Sequence, residues 1–248
     1  QRHHTGFTKW LIRQQDALIA TSPQAASYLE SPATVILHGV DTTIFHPAQD
    51  KRALRESLGL DPDAVLIGCF GRVRAQKGVD LLVRAALRLF ADRPKAQMVF
   101  TGRITSDNQQ FTDELKAEIA AAGLTDRIRF LGELPWEDVV RHYQAMDLFA
   151  APARWEGFGL TPLEAMACGV PVVATRVGAY ETLIRDGVTG SLLPPDDLDA
   201  LTEALRYWLD DPAARVAAGR TARSHVTHSH SIEDEARAIV DVYRGLLA

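Results

Sequence analysis

The sequence is poor in cysteine, in long apolar runs and in excess positive charge. Its 248 residues include only two cysteines, Cys69 and Cys168, too few for a disulfide framework or a cysteine-based zinc site. No stretch approaches the ~20 apolar residues that cross a bilayer, so we predict no transmembrane helix. Lys and Arg number 27 against 32 Asp and Glu, a net charge of −5. Because duplex-binding domains are usually basic, this charge argues against nucleic acid as the main partner.

What is present is the composition of an ordinary globular chain, with 46% hydrophobic and 24% charged residues. Both cysteines lie in apolar contexts typical of buried thiols in a reducing compartment, so we expect a cytoplasmic location. The chain begins with Gln1 rather than Met, and no apolar signal segment follows. We therefore expect it to be an internal part of a longer protein.

Short apolar runs typical of strands alternate with helical segments along almost the whole chain. This alternation predicts a parallel sheet with helices on both faces, an α/β, doubly wound, Rossmann-like fold. The helical spacing predicts two buried faces, Leu81, Leu82, Ala85 and Leu89 in one helix and Leu115, Ile119 and Ala122 in another. The predicted strands are Ala17–Ala20, Thr34–Leu37, Val65–Phe70, Gln97–Thr101, Ile128–Leu131, Leu148–Ala150, Val170–Ala174 and Ser191–Leu193.

A glycine-containing loop precedes a predicted helix in the segment 154–169. Gly157 and Gly159 let the backbone approach a ligand closely, and Thr161 followed by Pro162 is typical of a helix N-terminus. Free N–H groups and the helix dipole at such a point favour an anion. The segment therefore predicts a phosphate site, although many loops without ligands also contain Gly-x-Gly.

Two carboxylates, Glu156 and Glu164, flank this loop, and each has two interpretations. Glu156 either binds a ligand or is an exposed loop charge beside Trp155. Glu164 lies three residues after Thr161, the capping-box position, so it is either a helix cap or a ligand-binding group.

A basic segment, 68–78, lies between a predicted strand and a predicted helix. Arg72 and Lys77 follow the carboxyl end of the strand, where open α/β sheets bind ligands. Two cations can neutralise a diphosphate without a metal. The alternative is solvated surface charge, which we expect for Arg74. The segment 38–41 (His-Gly-Val-Asp) ends another strand and is either a turn or part of a cleft.

Taken together, these motifs resemble the donor-binding signature of retaining GT-B glycosyltransferases of family four. The similar residues are Gly71-Arg72…Lys77-Gly78, Glu156-Gly-Phe-Gly-Leu…Glu164 and the segment 185–190. The resemblance runs collinearly from about residue 15 to residue 245. It implies the C-terminal, donor-binding lobe of such an enzyme, with a remnant of the N-terminal lobe.

The same resemblance implies three parts: a remnant and linker (1–46), a nucleotide-sugar-binding domain (47–225) and a crossover helix (226–248). Since most of the acceptor lobe would be absent, we expect the 248 residues alone to transfer little sugar.

It also implies roles for single residues. Arg72 and Lys77 would bind the donor diphosphate and Glu156 the sugar hydroxyls, and these three are the expected catalytic residues. Glu164 would accept hydrogen bonds from the ribose. Arg103 follows Gly102, and the family often has an acidic residue at this position, so Arg103 departs from the family pattern. The other expected donor-binding residues are Gly39, Gly71, Arg103, Leu131, Gly157, Phe158, Gly159, Leu160 and Thr161.

The implied reaction is transfer of a hexose from a nucleotide sugar with retention of configuration, without a cofactor or metal. The segment 3–22 is similar to bacterial lipopolysaccharide-core mannosyltransferases, which implies GDP-mannose as donor and a glycolipid or oligosaccharide acceptor. A UDP-sugar-dependent enzyme, an epimerase or phosphorylase of this fold, and a non-catalytic nucleotide-sugar-binding lobe remain alternatives. A nicotinamide-dependent dehydrogenase is disfavoured because Gly157-Phe-Gly-Leu-Thr-Pro lacks the third glycine of that motif.

The predicted N-terminal helix places Phe7, Trp10 and Leu11 beside the cations Arg2, Lys9 and Arg13. It either packs on neighbouring elements, the interpretation we favour, or touches the inner face of a membrane.

Two groups of residues have spacings typical of metal ligands, but we interpret both differently. Asp61-Pro62-Asp63 precedes a strand and is read as a turn. His225, His228 and His230 have ligand spacing but lie at a Ser- and Thr-rich helix junction, and we predict no metal site there.

Overall fold

The computed structural model describes residues 5–247. Its main feature is a sheet of six strands in which all neighbours run parallel. A separate two-stranded parallel sheet precedes it. In chain order the strands are β1 (Ile19–Ala20), β2 (Thr34–Val35), β3 (Val65–Phe70), β4 (Ala96–Thr101), β5 (Ile128–Phe130), β6 (Leu148–Ala151), β7 (Val172–Thr175) and β8 (Gly190–Leu193).

The strand order β5-β4-β3-β6-β7-β8 makes the large sheet doubly wound. The chain runs outward from β3 through β4 to β5, then returns to the other side of β3 and continues through β6, β7 and β8. This reversal is a topological switch point, and open α/β sheets bind ligands outside the carboxyl ends of the strands there. The predicted α/β, doubly wound fold is confirmed.

Helices cover both faces of this sheet. The core on one face includes the fully buried Phe149 and Met166, and the core on the other includes the fully buried Leu82 and Trp208. The α-helices are α1 (Gly6–Arg13), α2 (Pro23–Ser27), α3 (Lys51–Ser57), α4 (Val79–Leu89), α5 (Gln109–Ala121), α6 (Trp136–Ala145), α7 (Leu160–Ala167), α8 (Tyr180–Leu183), α9 (Leu198–Asp210), α10 (Pro212–Ser229) and α11 (Ile232–Leu247), with short 3-10 helices at Ala75–Lys77 and Ser106–Asn108.

The sequence pattern locates the strand boundaries to within two residues. The strand predicted to begin at Val170 begins at Val172, because Pro171 has no N–H to donate to a ladder. The four predicted core residues of α4 are all buried. In α5, Leu115 and Ile119 are buried as predicted, but the prediction for Ala122 is wrong. Ala122 lies beyond the last helical residue and is exposed.

Within the described residues, the N-terminal segment folds as the predicted order helix, strand, helix, strand. Phe7, Trp10 and Leu11 of α1 are exposed, while Lys9 and Arg13 both pair with Glu30. Arg2, predicted to lie beside them on this helix, is outside the described residues. None of the helices within residues 5–247 combines the length and the apolar character needed to span a membrane.

The segment after β2 is bound to the start of α11. The Gly39 N–H donates to Glu235 Oε2 (2.8 Å), and the His38 ring lies 2.7 Å from Glu235 Oε1. The next amide, of Val40, donates to the carbonyl of His230 (2.9 Å). A Cβ on Gly39 would lie 2.2 Å from the Ser231 carbonyl oxygen, so this close backbone approach requires glycine.

Candidate active site

A cleft of about 380 Å³ opens at the carboxyl edge of the sheet. We call it the carboxyl-edge cleft, because the residues just after β3 and β4 form one wall while α6 and α7 supply the other. It brings together five residues predicted as site residues from widely separated parts of the chain. These are Gly71, Arg72, Arg103, Thr161 and Glu164.

A small cavity adjoins the cleft and shares four of its lining residues, Phe70, Gly71, Arg72 and Thr161. Lys77 and Tyr180 line only the small cavity. The basic loop after β3 and the start of α7 therefore face one continuous region. This is the arrangement expected for a ligand that carries an anionic group.

Helix α7 starts earlier than the sequence indicated. It begins at Leu160, with Gly159 preceding it at φ 90°, and no side chain caps its first amides. The prediction of Thr161 as N-cap is wrong, because Gly159 in a left-handed conformation makes the turn. The uncapped N-terminus leaves backbone donors and the positive end of the helix dipole beside the cleft.

Glu164 does not act as a capping-box residue. Its Oε2 accepts a hydrogen bond from the hydroxyl of Tyr143 (2.6 Å), a residue that lies outside the sequence motifs. Burial raises the pKa of Glu164 above its ordinary value, although the Tyr143 hydrogen bond acts in the opposite direction. An ionised carboxylate can accept about four hydrogen bonds. Glu164 therefore has acceptor capacity left for a ligand in the cleft.

Glu156 and Lys77 form an ion pair with each other. Both side chains are mostly shielded from solvent, 16% and 20% exposed respectively, so Glu156 is not the exposed loop charge of the alternative interpretation. Glu156 Oε1 also accepts from the Gly157 amide (3.0 Å). Burial, and to a smaller extent the nearby Glu156 charge, raises the pKa of Tyr180 well above its ordinary value. The anionic and cationic partners are thus held together where a ligand would meet both.

The two neighbouring arginines of the basic loop differ from the expected arrangement. Arg72 is exposed at the cleft and makes no ion pair within residues 5–247, so its charge is available to an anion. Arg74, which we expected at the surface, is half-buried, and its Nε is buried without a partner. Arg72 is therefore more exposed than Arg74, whereas the sequence predicted the opposite.

The loop containing Lys77 is held by a network that the sequence motifs did not show. Arg154 forms a bidentate pair with Asp80 of α4 (2.7 and 2.8 Å) and contacts Asp196 (2.6 Å). Gln76 donates to the Trp155 carbonyl (3.1 Å), and its own carbonyl accepts from the Arg154 amide (2.8 Å). The Asp80 hydrogen bond is the main reason that the pKa of Arg154 is raised. These bonds connect the loop between β3 and α4 to the loop that precedes α7.

Comparison with known proteins places this arrangement in a family. Residues 50–225 match the family described as glycosyl transferases group 1. The chain belongs to this family. It is 49% identical over 249 residues to the lipopolysaccharide core biosynthesis mannosyltransferase LpsB of Rhizobium meliloti (strain 1021), a match that covers 100% of this chain and 70% of LpsB.

Two further relatives of this glycosyltransferase are informative. A GDP-mannose-dependent monoacylated alpha-(1-6)-phosphatidylinositol monomannoside mannosyltransferase of Corynebacterium glutamicum is 38% identical over 205 residues, 79% of this chain and 51% of that protein. The crystal structure of the C-terminal domain of a glycosyl transferase group 1 family protein, LpcC from Francisella tularensis, superposes with a TM-score of 0.74 at 30% identity. It covers 78% of this chain and 100% of that domain. The fold is the C-terminal lobe of a GT-B glycosyltransferase.

The remaining predicted residues of this glycosyltransferase do not line the carboxyl-edge cleft. Gly157, Gly159 and Leu160 adjoin it in the loop and first turn of α7. Phe158 is buried, with its ring edge-on to His38 (centroids 4.8 Å apart), so only its backbone is available to a ligand. Leu131 packs against the core.

The metal-like spacings serve other purposes. The Asp63 amide donates to Asp61 Oδ1 (2.9 Å), which confirms the predicted turn. The rings of His225 and His230 meet edge-on with centroids 5.2 Å apart. Burial lowers the pKa of His230 to about 4. His228 is exposed and contacts the Ser224 carbonyl. Within residues 5–247, these histidines do not gather into a group of three or more ligands.

The left-handed turn before α7 leads to a stability prediction. A Cβ on Gly159 would lie 2.2 Å from the Tyr180 ring, and its φ of 90° disfavours any L side chain. We therefore expect Gly159→Ala to lower the free energy of unfolding by ~2 kcal/mol or more. Gly157→Ala is the matched control, because nothing lies within 4 Å of its Cβ position. Urea denaturation of both variants checks this, and equal losses would contradict it.

Proposed function

We propose that this glycosyltransferase transfers mannose from GDP-mannose, with retention of configuration, onto a lipopolysaccharide-core acceptor. The observation that carries the proposal is the combination of Glu164 and Arg72 in one cleft at the N-terminus of α7. A carboxylate suits a ribose diol, while a cation and an uncapped helix suit a diphosphate. The mannosyltransferase relatives, one of them named for its dependence on GDP-mannose, support the sugar and the nucleotide.

In this proposal the donor lies along the carboxyl edge of the sheet. Glu164 accepts hydrogen bonds from the ribose, Arg72 and Lys77 bind the diphosphate, and Glu156 accepts from sugar hydroxyls. The cleft also contains Glu133, an exposed carboxylate. Guanine offers two adjacent N–H donors, from its ring and its exocyclic amine, whereas uracil offers one. A carboxylate at the base end of the cleft therefore favours GDP over UDP.

In the proposed reaction, negative charge develops on the leaving diphosphate, and the site must stabilise it. The acceptor hydroxyl oxygen bonds to the anomeric carbon as the bond from that carbon to the diphosphate breaks. The diphosphate keeps the electron pair, and the acceptor proton passes to one of its oxygens on the same face. Arg72, Lys77 and the amides at the start of α7 stabilise the charge that develops there. We propose that these groups replace a metal ion, so chelators should leave transfer by the intact two-lobe enzyme unchanged.

The reaction that we propose takes place in the cytoplasm, at or near the inner face of the membrane where a glycolipid acceptor is available. The apolar side chains of α1 are exposed. Its two described cations already pair with Glu30, which weakens the case for α1 as an electrostatic membrane anchor. We therefore favour α1 as a packing surface.

Isothermal titration calorimetry of the chain with GDP, UDP, ADP and NAD tests the donor class. We expect GDP to bind most tightly, with GDP-mannose tighter than GDP because the sugar adds hydrogen bonds to Glu156. Tighter binding of UDP would favour the UDP-sugar alternative. Binding of NAD without any nucleoside diphosphate would overturn the proposal. Addition of EDTA is the control for a metal-dependent binding mode.

A further inference from the structure

A second cavity lies at the opposite edge of the large sheet from the carboxyl-edge cleft. Its volume is about 400 Å³, within the range of small-molecule sites. Asp147 and Pro171, which line it, immediately precede β6 and β7. The cavity is therefore at the amino edge, and we call it the amino-edge pocket. None of the residues assigned above to donor binding lines it.

Basic side chains dominate the charged lining of the amino-edge pocket. Four cations, Lys51, Arg215, Arg220 and Arg223, face a single acidic side chain, Asp147. Asp147 is already bound by the buried Arg55 (Nη2 to Oδ2, 2.6 Å) and lies 3.4 Å from Lys51 Nζ. Asp147 is therefore paired with Arg55 and Lys51, and the three arginines that line the pocket form no ion pair within residues 5–247.

Backbone carbonyls, rather than acids, hold two of these arginines. Arg223 donates to the carbonyls of Phe45 (2.6 Å), Ala167 (2.7 Å) and Thr42 (2.9 Å). Since Ala167 is the last residue of α7, Arg223 also caps that helix, where a cation is favourable. The guanidinium is thus rigidly placed, and its charge meets no carboxylate within residues 5–247. Burial lowers its pKa, the direction expected for a desolvated cation that lacks a counter-charge.

Arg215 is held in a similar way at the start of α10. Its Nη1 donates to the carbonyls of Trp208 and Leu209 near the end of α9, and burial lowers its pKa. The neighbouring Asp211 and Asp147 charges act in the opposite direction. The Asp211 carboxylate is itself used as the N-cap of α10, where it accepts from the Ala214 amide (2.8 Å). The remaining nitrogens of Arg215 make no hydrogen bond within the described chain.

Arg220 completes the set, and apolar side chains form the rest of the wall. Arg220 is exposed and makes no ion pair in the part of the chain that the structure describes. The rest of the lining consists of Pro47, Ala48, Cys168, Gly169, Pro171, Pro212 and Val216. Guanidinium groups match the geometry of a phosphate, and several of them together can neutralise the double charge of a phosphate monoester or the single charge of a diester. The apolar wall suits a small uncharged body attached to that phosphate.

We propose that the amino-edge pocket binds a phosphate monoester or diester, with its oxygens on Arg215, Arg220 and Arg223. The ligand is either a small phosphorylated metabolite or the phosphate of a lipid headgroup. The site is separate from that of the nucleotide donor, because it lies at the other end of the parallel strands and shares no lining residue with the carboxyl-edge cleft.

Two binding assays test the proposal. Calorimetry with glycerol 3-phosphate measures the free ester, and flotation with phosphatidylglycerol vesicles measures the headgroup. Val216→Glu adds a carboxylate to the pocket wall at an exposed position without removing a hydrogen bond. Ala217→Glu, exposed on the same helix but outside the lining, is the matched control. Arg220→Gln removes one cation that has no structural partner.

We expect Val216→Glu and Arg220→Gln to weaken binding about tenfold, the effect of losing one charge-assisted contact. Ala217→Glu should stay within about twofold. This pattern with glycerol 3-phosphate identifies a metabolite site, and the same pattern only with vesicles identifies a headgroup site. Absence of binding in both assays, or equal losses for Val216→Glu and Ala217→Glu, would overturn the proposal.

Discussion

Replacing Glu164 with Gln is expected to weaken GDP binding by ~2 kcal/mol, or about 30-fold, because hydrogen bonds to a charged group contribute roughly 1.5–3 kcal/mol. The carboxylate is partly buried beside the cleft and accepts from the Tyr143 hydroxyl. Gln has nearly the same shape, so the core around Tyr143 is kept while the second acceptor oxygen becomes a donor. Calorimetry with GDP measures the loss directly.

Tyr143→Phe is the matched control for Glu164→Gln. It removes the 2.6 Å hydrogen bond to Glu164 but leaves the carboxylate in place, so GDP affinity should change by no more than about threefold. A purely structural role for Glu164 would give the opposite pattern. Both variants would then lower the unfolding free energy, and neither would change the affinity for GDP.

The pH dependence of GDP binding follows from the raised pKa of Glu164. The ribose needs the carboxylate form, so affinity is full at pH values well above that pKa and declines as pH falls through it. Because burial has raised the pKa, the decline begins at a higher pH than for an ordinary glutamate. In the free protein the sign for stability is reversed. The charged form is the disfavoured one, so its destabilising effect is present above the folded-state pKa and disappears below the unfolded one. Glu164→Gln should flatten both profiles.

The central sheet could be predicted from the sequence because its strands are continuous apolar runs between helices of clear period. The start of α7 could not. The pair Thr161-Pro162 is a strong local signal for a helix start, but α7 begins at Leu160, because Gly159 makes the turn in a left-handed conformation against the Tyr180 ring. A tertiary contact therefore overrides the local preference.

The contacts within the site were even harder to predict from the sequence. Lys77 and Glu156 are 79 positions apart in the chain, and Gln76 and Trp155 are separated by the same number of positions. Local periodicity carries no information about pairs at such separations, and only the switch in strand order between β3 and β6 brings the two loops together. The exposure of Arg74 could not be predicted for the same reason. A basic residue before a helix has the same local sequence pattern whether it is exposed or, like Arg74, half-buried.

The ion pair between Lys77 and Glu156 leads to the second large expected effect. The donor would bring a diphosphate to Lys77 and sugar hydroxyls to Glu156, so both must exchange part of their mutual contact for the ligand. Lys77→Met removes a cation from the diphosphate and should weaken GDP and GDP-mannose equally, by ~2 kcal/mol. Lys95→Met, the same change at an exposed position outside the cleft, should leave both affinities unchanged.

Glu156→Gln separates the sugar contact from the phosphate contact. It frees Lys77, so GDP should bind as well as before or slightly better, whereas the additional affinity of GDP-mannose over GDP should fall by about tenfold. Parallel calorimetric titrations with the two ligands measure this difference. If Glu156 acts only by positioning Lys77, both affinities will fall together and the ratio will stay constant. The ratio, rather than either affinity alone, therefore decides whether Glu156 contacts the transferred sugar.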